Sequence, residues 1–454
     1  MSDQQFSANN FLHIWDMRTR RGEDLTGQFA DVQKLILELR DLKNEYKIAV
    51  RAHPRDSAAA QKLSDDYAHN KTELSAEKKN ALLENLEQVA ASLNSRIDSS
   101  TLTWGLQLGP VSKGKSTYRI GMSNPETYYL ARQLEQNLRV ALEVRTVSRN
   151  QLAEQLQKTL GDSTDKYLMR SDIKSFYESI PHDRLLELLR DNARVSRTTV
   201  SFVRSLLNEY QTLTGSDSGL PRGIGASSLL AEAYLAQFDV QVRKLPGLVA
   251  HLRYVDDFVL IFSEGAHYPT VDQRKQAVRK AVRNLGLALN PTKTVHHRLR
   301  DERGTPPTRI RFLGYEYTIT GHTVTVDMTQ QRLERYKRKL DLAIASYRAQ
   351  SSAPRAQSAL VDRIAFLTSN TRLENNKQHA LVGIYFSNPI ITNTDGRIAR
   401  LDRHLSSLLA QVSIPGATRG RIAEFTFSTG FALKRYRVFS SRRLGVIAKV
   451  WKDA

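Results

Sequence analysis

Arg253–Phe262 reads RYVDDFVLIF. Two aspartates sit side by side in a run of β-branched and aromatic residues. Such residues favour strands, from which Asp is depleted. Side chains alternate along a strand, so a straight strand would drive one of the two carboxylates into a core. A hairpin removes the conflict. LRYV and FVLIF become its strands, and Asp256-Asp257 occupies the turn, aimed outward at one end of a sheet. Two adjacent anions repel, so a cation must compensate them. A lysine could do so, and a divalent metal does it better. Mg²⁺ prefers oxygen ligands, takes one or two protein carboxylates and fills its shell with phosphate and water. Two such ions about 4 Å apart activate a hydroxyl and stabilise the leaving oxygen in phosphoryl transfer. That chemistry needs a further carboxylate. Asp172, at the end of the strand YLMRSDI, is the candidate.

The rest of the chain agrees with an anionic substrate. Its 454 residues suggest two to four domains, and its net charge of +20 points to a polyanion, either nucleic acid or an anionic membrane surface. No run of roughly 18 apolar residues is present to span a bilayer. The start, MSDQQFSANNF, lacks a basic region followed by an apolar core, so a cytoplasmic protein without a membrane partner is expected. With no cysteine there is neither a disulfide nor a thiolate zinc site. The charge is concentrated late: residues 331–454 hold 22 Lys and Arg against 8 Asp and Glu. Two clusters stand out, RLERYKRK (Arg335, Lys337, Arg338, Lys339) and KRYR…SRR (Lys434, Arg435, Arg437, Arg442, Arg443). Tyr336, Tyr436, Phe439 and Trp451 are interleaved, which suits phosphate neutralisation with base stacking.

Three regions are expected: residues 1–108 as a helical extension, 109–327 as mixed helix and strand, and 328–454 as a basic all-helical domain. Apolar residues at helical spacing from Phe29 to Leu42 and from Leu82 to Ile97 predict two helices joined through HPRDSAAAQ. GPVSKGKST (Gly109–Thr117) predicts a loop, Ser227–Phe238 a buried helix, and Gln273–Asn284 an amphipathic helix ended by Gly286. IRFLGYEYTITGHTVTV (Ile310–Val326) predicts one hairpin turning at Gly321-His322.

In order along the chain, SDIKSFYESIPHDRL, GLPRGIGASSLLAEAYL, RYVDDF, LGLALNPTKT and FLGY resemble the ordered palm motifs of bacterial reverse transcriptases. The resemblance is good over about 150–330. It implies an α+β right-hand polymerase with palm and fingers, an N-terminal helical extension and an all-helical C-terminal domain in place of a thumb. It implies that Asp172, Asp256 and the backbone carbonyl of Ile173 bind two Mg²⁺ ions, with Mn²⁺ able to substitute. Asp257 acts more by electrostatics. Tyr177 occupies the bulky position that excludes a ribose 2′-hydroxyl and so favours dNTPs, although adjacent Phe176 is an alternative gate. Where many relatives have Gln, this chain has Arg222, whose planar fork suits a triphosphate or sugar hydroxyl. Gly223 and Gly225 would let backbone lie close to nucleotide and template. Ser228 replaces a proline common in other branches. Lys293 lies where the family has a proposed proton donor to pyrophosphate, and Phe312, Leu313, Gly314 and Tyr315 form the primer grip.

The Pro-Arg-Gly second motif followed by SxxLAE resembles the abortive-infection and other defence-associated branch. No asparagine-alanine-x-x-histidine or valine-threonine-glycine signature points to a retron enzyme. No zinc, nuclease or RNase H domain is expected after the helical region, and VGIYFSNPIITN (Val382–Asn393) fits that branch. The resemblance implies an RNA-directed DNA polymerase in antiphage defence, with a non-coding RNA as template or scaffold, a DNA product and a homo-oligomeric assembly. Template-independent synthesis from a protein hydroxyl is the alternative. A non-catalytic RNA-binding scaffold and an RNA polymerase are the competing classes. The scaffold has no use for the adjacent carboxylates, and Tyr177 disfavours the RNA polymerase.

Overall fold

The computed structural model describes residues 4–54, 57–99, 101–112, 114–144, 147–299, 306–350, 353–373 and 380–451. Residues 55 and 56 of the expected helix connection and residue 113 of the 109–117 loop lie outside them. The chain forms two compact units, each assembled from three segments. One holds Met1–Arg145, Ile173–Gln241 and Val278–Leu289; the other holds Thr146–Asp172, Val242–Ala277 and Asn290–Ala454.

The first unit is mainly helical. Its opening helices are Ala8–Arg20, Ala30–Arg51 and Ala58–Asp98. Ser7 and Ser57 cap the first and third by accepting from the backbone N–H three residues on. The third helix begins well before the Leu82–Ile97 stripe that predicts it. Its first half is rich in Ala, Lys and Glu, which favour helix without burying a face, so periodicity misses it. The helix Pro125–Ala141 starts at an Asn124 cap with proline in its first turn. The helix Arg197–Thr214 runs from a Ser196 cap to Gly215, whose φ of +71° ends it. The helix Gly225–Val242 buries Leu229, Leu230, Ala231, Tyr234, Leu235 and Phe238, as an apolar helix must. A two-residue ladder pairs β1 (Gln107–Leu108) with β2 (Tyr118–Arg119).

The second unit is built on a sheet. Strands β3 (Lys166–Asp172), β4 (Leu248–Tyr254), β5 (Asp257–Ser263) and β6 (Val295–Leu299) lie in the order β4-β5-β3-β6, every pair antiparallel. Central β5 is buried from Phe258 to Phe262, and β3 everywhere except half-buried Arg170. A meander follows: β7 (Thr308–Phe312), β8 (Tyr315–Thr320) and β9 (Thr323–Met328). The Gly321-His322 turn stands where the sequence puts it. The hairpin expected over 310–326 is the second of two, because Leu313-Gly314 turns the chain as well.

One apolar core continues from Leu168, Leu252, Val259 and Ile261 of the sheet through Phe312, Tyr315, Tyr317 and Met328. It runs on into the helices Gln330–Arg348, Pro354–Thr368 and Ala399–Ala410. The tail is therefore packed on the sheet's own core. It is not wholly helical, contrary to the expectation over 328–454, since β10 (Asn370–Arg372) pairs with β11 (Leu381–Gly383). Asn370 holds this ladder to the chain beyond it: its N–H donates to Arg435 O, and its carbonyl accepts from Arg437 N–H.

A buried ion cluster ties β8 to the tail. Glu316 accepts from Arg311 Nε at 2.8 Å and from Arg397 Nη2 at 2.6 Å, while Arg397 N–H donates to Asp327 at 3.0 Å. Burial opposes ionisation of Glu316, but Arg397 and Arg311 outweigh it and hold the carboxyl below its ordinary 4.5. A depressed folded-state pKa stabilises fully above the unfolded-state value, and the contribution fades as pH falls through the folded-state one. Glu316→Gln is expected to cost about 1–3 kcal/mol at pH 7, with the gap from wild type narrowing as pH falls below the ordinary 4.5 and through the depressed folded-state value. Urea midpoints measured from pH 7 downward test it, and a gap independent of pH would contradict it.

Candidate active site

The hairpin of RYVDDF turns one residue earlier than expected. β4 ends at Tyr254 and β5 begins at Asp257, so only Val255 and Asp256 form the turn. Asp257 is the first residue of a strand, paired with Tyr254 on one side and Asp172 on the other. Val255 has a φ of +57°. A β-branched residue there is an outlier that costs roughly 1–2 kcal/mol. Arg253 Nη1 donates to the Val255 carbonyl at 2.9 Å, which helps to hold the turn. Backbone strain at such a point marks a site where side-chain placement matters more than local comfort.

Asp172 and Asp257 are direct cross-strand partners, which puts their Cβ atoms roughly 5 Å apart. Like charges so placed destabilise a sheet, and two cations answer them. Arg170 grips Asp257 through Nε and Nη2, both at 3.2 Å. Lys293 Nζ donates to Asp172 Oδ2. The sequence reading missed Arg170, though the period of two along β3 puts it on the face of Asp172. Lys293 is carried by the Asn290–Thr294 turn, which is latched to the end of β3. Asn290 N–H donates to the Asp172 carbonyl at 2.9 Å, and the Thr294 and Ser171 hydroxyls bond at 2.7 Å. The hydrogen bond to Asp172 raises the Lys293 ammonium above its ordinary 10.5. Burial raises Asp257 above 3.8 against the pull of Arg170, and the charges of Asp172 and Asp256 add to the rise.

Asp172 Oδ1 is buried with no hydrogen-bond partner among the described residues. An orphaned carboxylate oxygen is costly unless something else binds it. No group of three or more His, Cys, Asp or Glu is gathered as a ready cage among the described residues. Mg²⁺ needs none, because it completes one or two carboxylates with water and substrate phosphate. The donor set therefore fits the ion. Ile173, the expected backbone ligand, opens the next segment of the other unit and forms a bridge with Leu289.

In that other unit, Ser175 at φ +47° starts the short helix Phe176–Ser179. Phe176 is only 2% exposed and serves the core, whereas Tyr177 is half-buried. Arg222 lies over the Tyr177 ring, its guanidinium carbon 4.4 Å from the ring centre. Its Nε and Nη2 bond Glu178 Oε1 and Oε2 at 2.9 and 3.1 Å, so the fork expected for a substrate holds a carboxylate of the chain itself. Lys115 Nζ stands 3.6 Å from the same carboxylate. Burial opposes ionisation of Glu178, but Arg222 carries its pKa below 4.5. Gly223 is needed for a reason internal to the fold. Its φ is +100°, and a Cβ there would stand 2.6 Å from the Tyr118 carbonyl of β2. Gly225 likewise leaves room for the Glu135 carboxylate at the first turn of its helix. Ser228 donates back to the Gly225 carbonyl at 2.9 Å.

FLGY forms the β7–β8 turn. Leu313 and Gly314 have φ of +49° and +78°, the signs of a type I′ hairpin. The Leu313 carbonyl accepts from Arg149 Nε at 2.8 Å and Arg332 Nη2 at 3.4 Å, and both guanidiniums stand over the Tyr315 ring. A Cβ on Gly314 would collide with both arginines. Phe312 and Tyr315 are buried. A cavity of about 390 Å³ lies alongside, lined in part by Arg149, Arg332, Arg335, Tyr336 and Lys339. Arg149 carried no sequence signal.

The basic clusters divide differently from expectation. Arg335 and Lys339 line that cavity, Lys337 pairs with Glu334 at 3.3 Å, and Arg338 is exposed. In the second cluster, Lys434 lies over Tyr385 and Arg437 over Phe425, at 4.6 and 4.3 Å. Arg435 bonds the Glu424 carbonyl, Arg443 grips Asp362 with two bonds of 2.9 Å, and Arg442 is exposed. Phe439 and Trp451 are buried and Tyr336 half-buried, so they pack the unit and do not form open stacking platforms. Tyr436 remains 49% exposed.

Residues 111–317 match the family model described as reverse transcriptase (RNA-dependent DNA polymerase). That stretch is a reverse transcriptase domain, and its enzyme class is RNA-directed DNA polymerase. No curated protein matches the chain. Among solved structures, apo telomerase from Candida tropicalis, truncated from its C-terminal domain, is similar at 13% identity. The likeness covers 57% of this chain and 70% of that one, with a TM-score of 0.36. No helix among the described residues is long and apolar enough to cross a membrane.

Proposed function

We propose that this reverse transcriptase domain adds dNTPs by two-metal phosphoryl transfer at Asp172 and Asp256, in bacterial antiphage defence, with a dedicated non-coding RNA as template or scaffold. The observation that carries the chemistry is the orphaned Asp172 Oδ1, on a strand paired to the Asp256-Asp257 hairpin. Asp172 and Asp256 would hold the ions, Mg²⁺ or Mn²⁺. Bound there, the ions supply activation of the primer 3′-hydroxyl and stabilisation of the leaving pyrophosphate oxygen. Arg170 keeps Asp257 in place and offsets its charge. Lys293, which carries its proton at neutral pH, is the proton donor to departing pyrophosphate in this reading. Tyr177, five residues after Asp172 in sequence, excludes the 2′-hydroxyl. Leu313 and Gly314 present a turn to the primer strand.

The charge of the last quarter supports an RNA partner, and a cytoplasmic homo-oligomer accords with the defence reading. Sequencing nucleic acid co-purified with the chain tests the RNA. One strongly enriched species is expected, and absence of any enriched RNA would contradict it. A DNA product that stays in the phenol phase until protease treatment would instead favour priming from a protein hydroxyl.

A further inference from the structure

We infer that Glu178 is a positioning residue for sugar selection: it locks Arg222 onto the face of Tyr177 and so holds the gate ring still. This rests on the polymerase reading and on Tyr177 as the gate. A steric gate excludes a hydroxyl only while its ring stays put, because a tyrosine free to change χ1 can swing aside. Leu220, Phe176 and Arg222 restrain this one. The Tyr177 carbonyl accepts from Leu220 N–H at 2.7 Å. Phe176, buried in the core, meets the Tyr177 ring edge-on at 5.9 Å. Arg222 covers a face of the ring at 4.4 Å. Arg222 is in turn fixed by its own backbone, whose carbonyl accepts from Tyr118 N–H at 2.6 Å, and by two charge-assisted bonds to Glu178.

Glu178 is the next residue after the gate, on the same short helix. Brace and ring therefore share one support. Lys115, at 3.6 Å, offsets the carboxylate's remaining charge from the loop before β2. A guanidinium held flat by a bidentate carboxylate keeps its stacking surface, which a lysine ammonium cannot supply. In this arrangement Arg222 acts through Tyr177. A role as a triphosphate clamp would require its fork to leave Glu178, and a carboxylate held only by Lys115 to remain beside the anionic substrate.

The two roles separate in kinetics. Single-nucleotide incorporation with dNTP and NTP gives the ratio of kcat/KM values, the sugar discrimination. E178A is expected to lower that ratio about tenfold, as befits loss of a ring-stacking cation. E178Q, which keeps the shape and one acceptor, should lower it less and guards against misfolding of the alanine variant. R222K should lose discrimination as R222A does. In a Y177A background, E178A should leave the ratio unchanged within about twofold, because the ring it braces is gone. An unaltered ratio in E178A and R222A, with KM raised equally for dNTP and NTP and restored by R222K, would overturn the inference and make Arg222 a phosphate ligand. Absence of any incorporation by the wild-type chain would overturn the polymerase reading, and this inference with it.

Discussion

Replacing Asp172 or Asp256 with Asn is expected to slow dNTP addition by on the order of a thousandfold or more while leaving the chain folded. The size follows from metal-assisted phosphoryl transfer, where the ions contribute several kcal/mol and each tenfold in rate corresponds to about 1.4 kcal/mol. Folding is spared because Asp172 faces Asp257 directly across the sheet, and removing one of two opposed charges relieves repulsion. In Asp172→Asn the new amide would still present an oxygen to Lys293. Asp257→Asn should cost less, about ten- to a hundredfold, since Arg170 already holds both of its oxygens and it acts by fixing the local field. Incorporation rates in Mg²⁺, with thermal melting of each variant, give the comparison. An Asp256→Asn chain as active as wild type would remove the metal reading altogether.

Tyr177→Ala is expected to relax selection against ribose by about a hundredfold, the scale on which a shaped pocket rejects one added hydroxyl. Phe176→Ala should behave in another way. Phe176 is 2% exposed, so truncation leaves a cavity and costs about 3–5 kcal/mol of stability. Its sugar preference should survive in whatever fraction folds. Measuring both the dNTP-to-NTP ratio and the melting temperature distinguishes a gate from a core residue. The opposite pattern, with discrimination lost at Phe176 and kept at Tyr177, would move the gate by one position.

Much of this centre was legible from residue order. Alternation around Asp256-Asp257 demanded a hairpin, and the strand ending in Asp172 was visible as a run of apolar residues. Long-range partners were not. Nothing local marks Arg149 as the donor to Leu313, or Glu178 as the partner of Arg222, because each pairing is made by the fold across 164 or 44 positions. Arg170 was within reach, since two residues along a strand restore the same face. The aromatics of the tail misled for the opposite reason. Phe439 and Trp451 sit beside basic residues in sequence, yet packing against the helices Gln330–Arg348 and Pro354–Thr368 takes them from solvent. The β10–β11 ladder escaped because three-residue strands are too short for any period to show.

Incorporation of labelled dNTPs by the purified chain, with and without a primed RNA template and with Asp256→Ala/Asp257→Ala in parallel, addresses the central claim most directly. Metal-dependent DNA synthesis that vanishes in the double variant is the expected result. No dNTP incorporation by wild type under either condition, with nucleic-acid binding equal in wild type and variant, would contradict it and leave an RNA-binding scaffold.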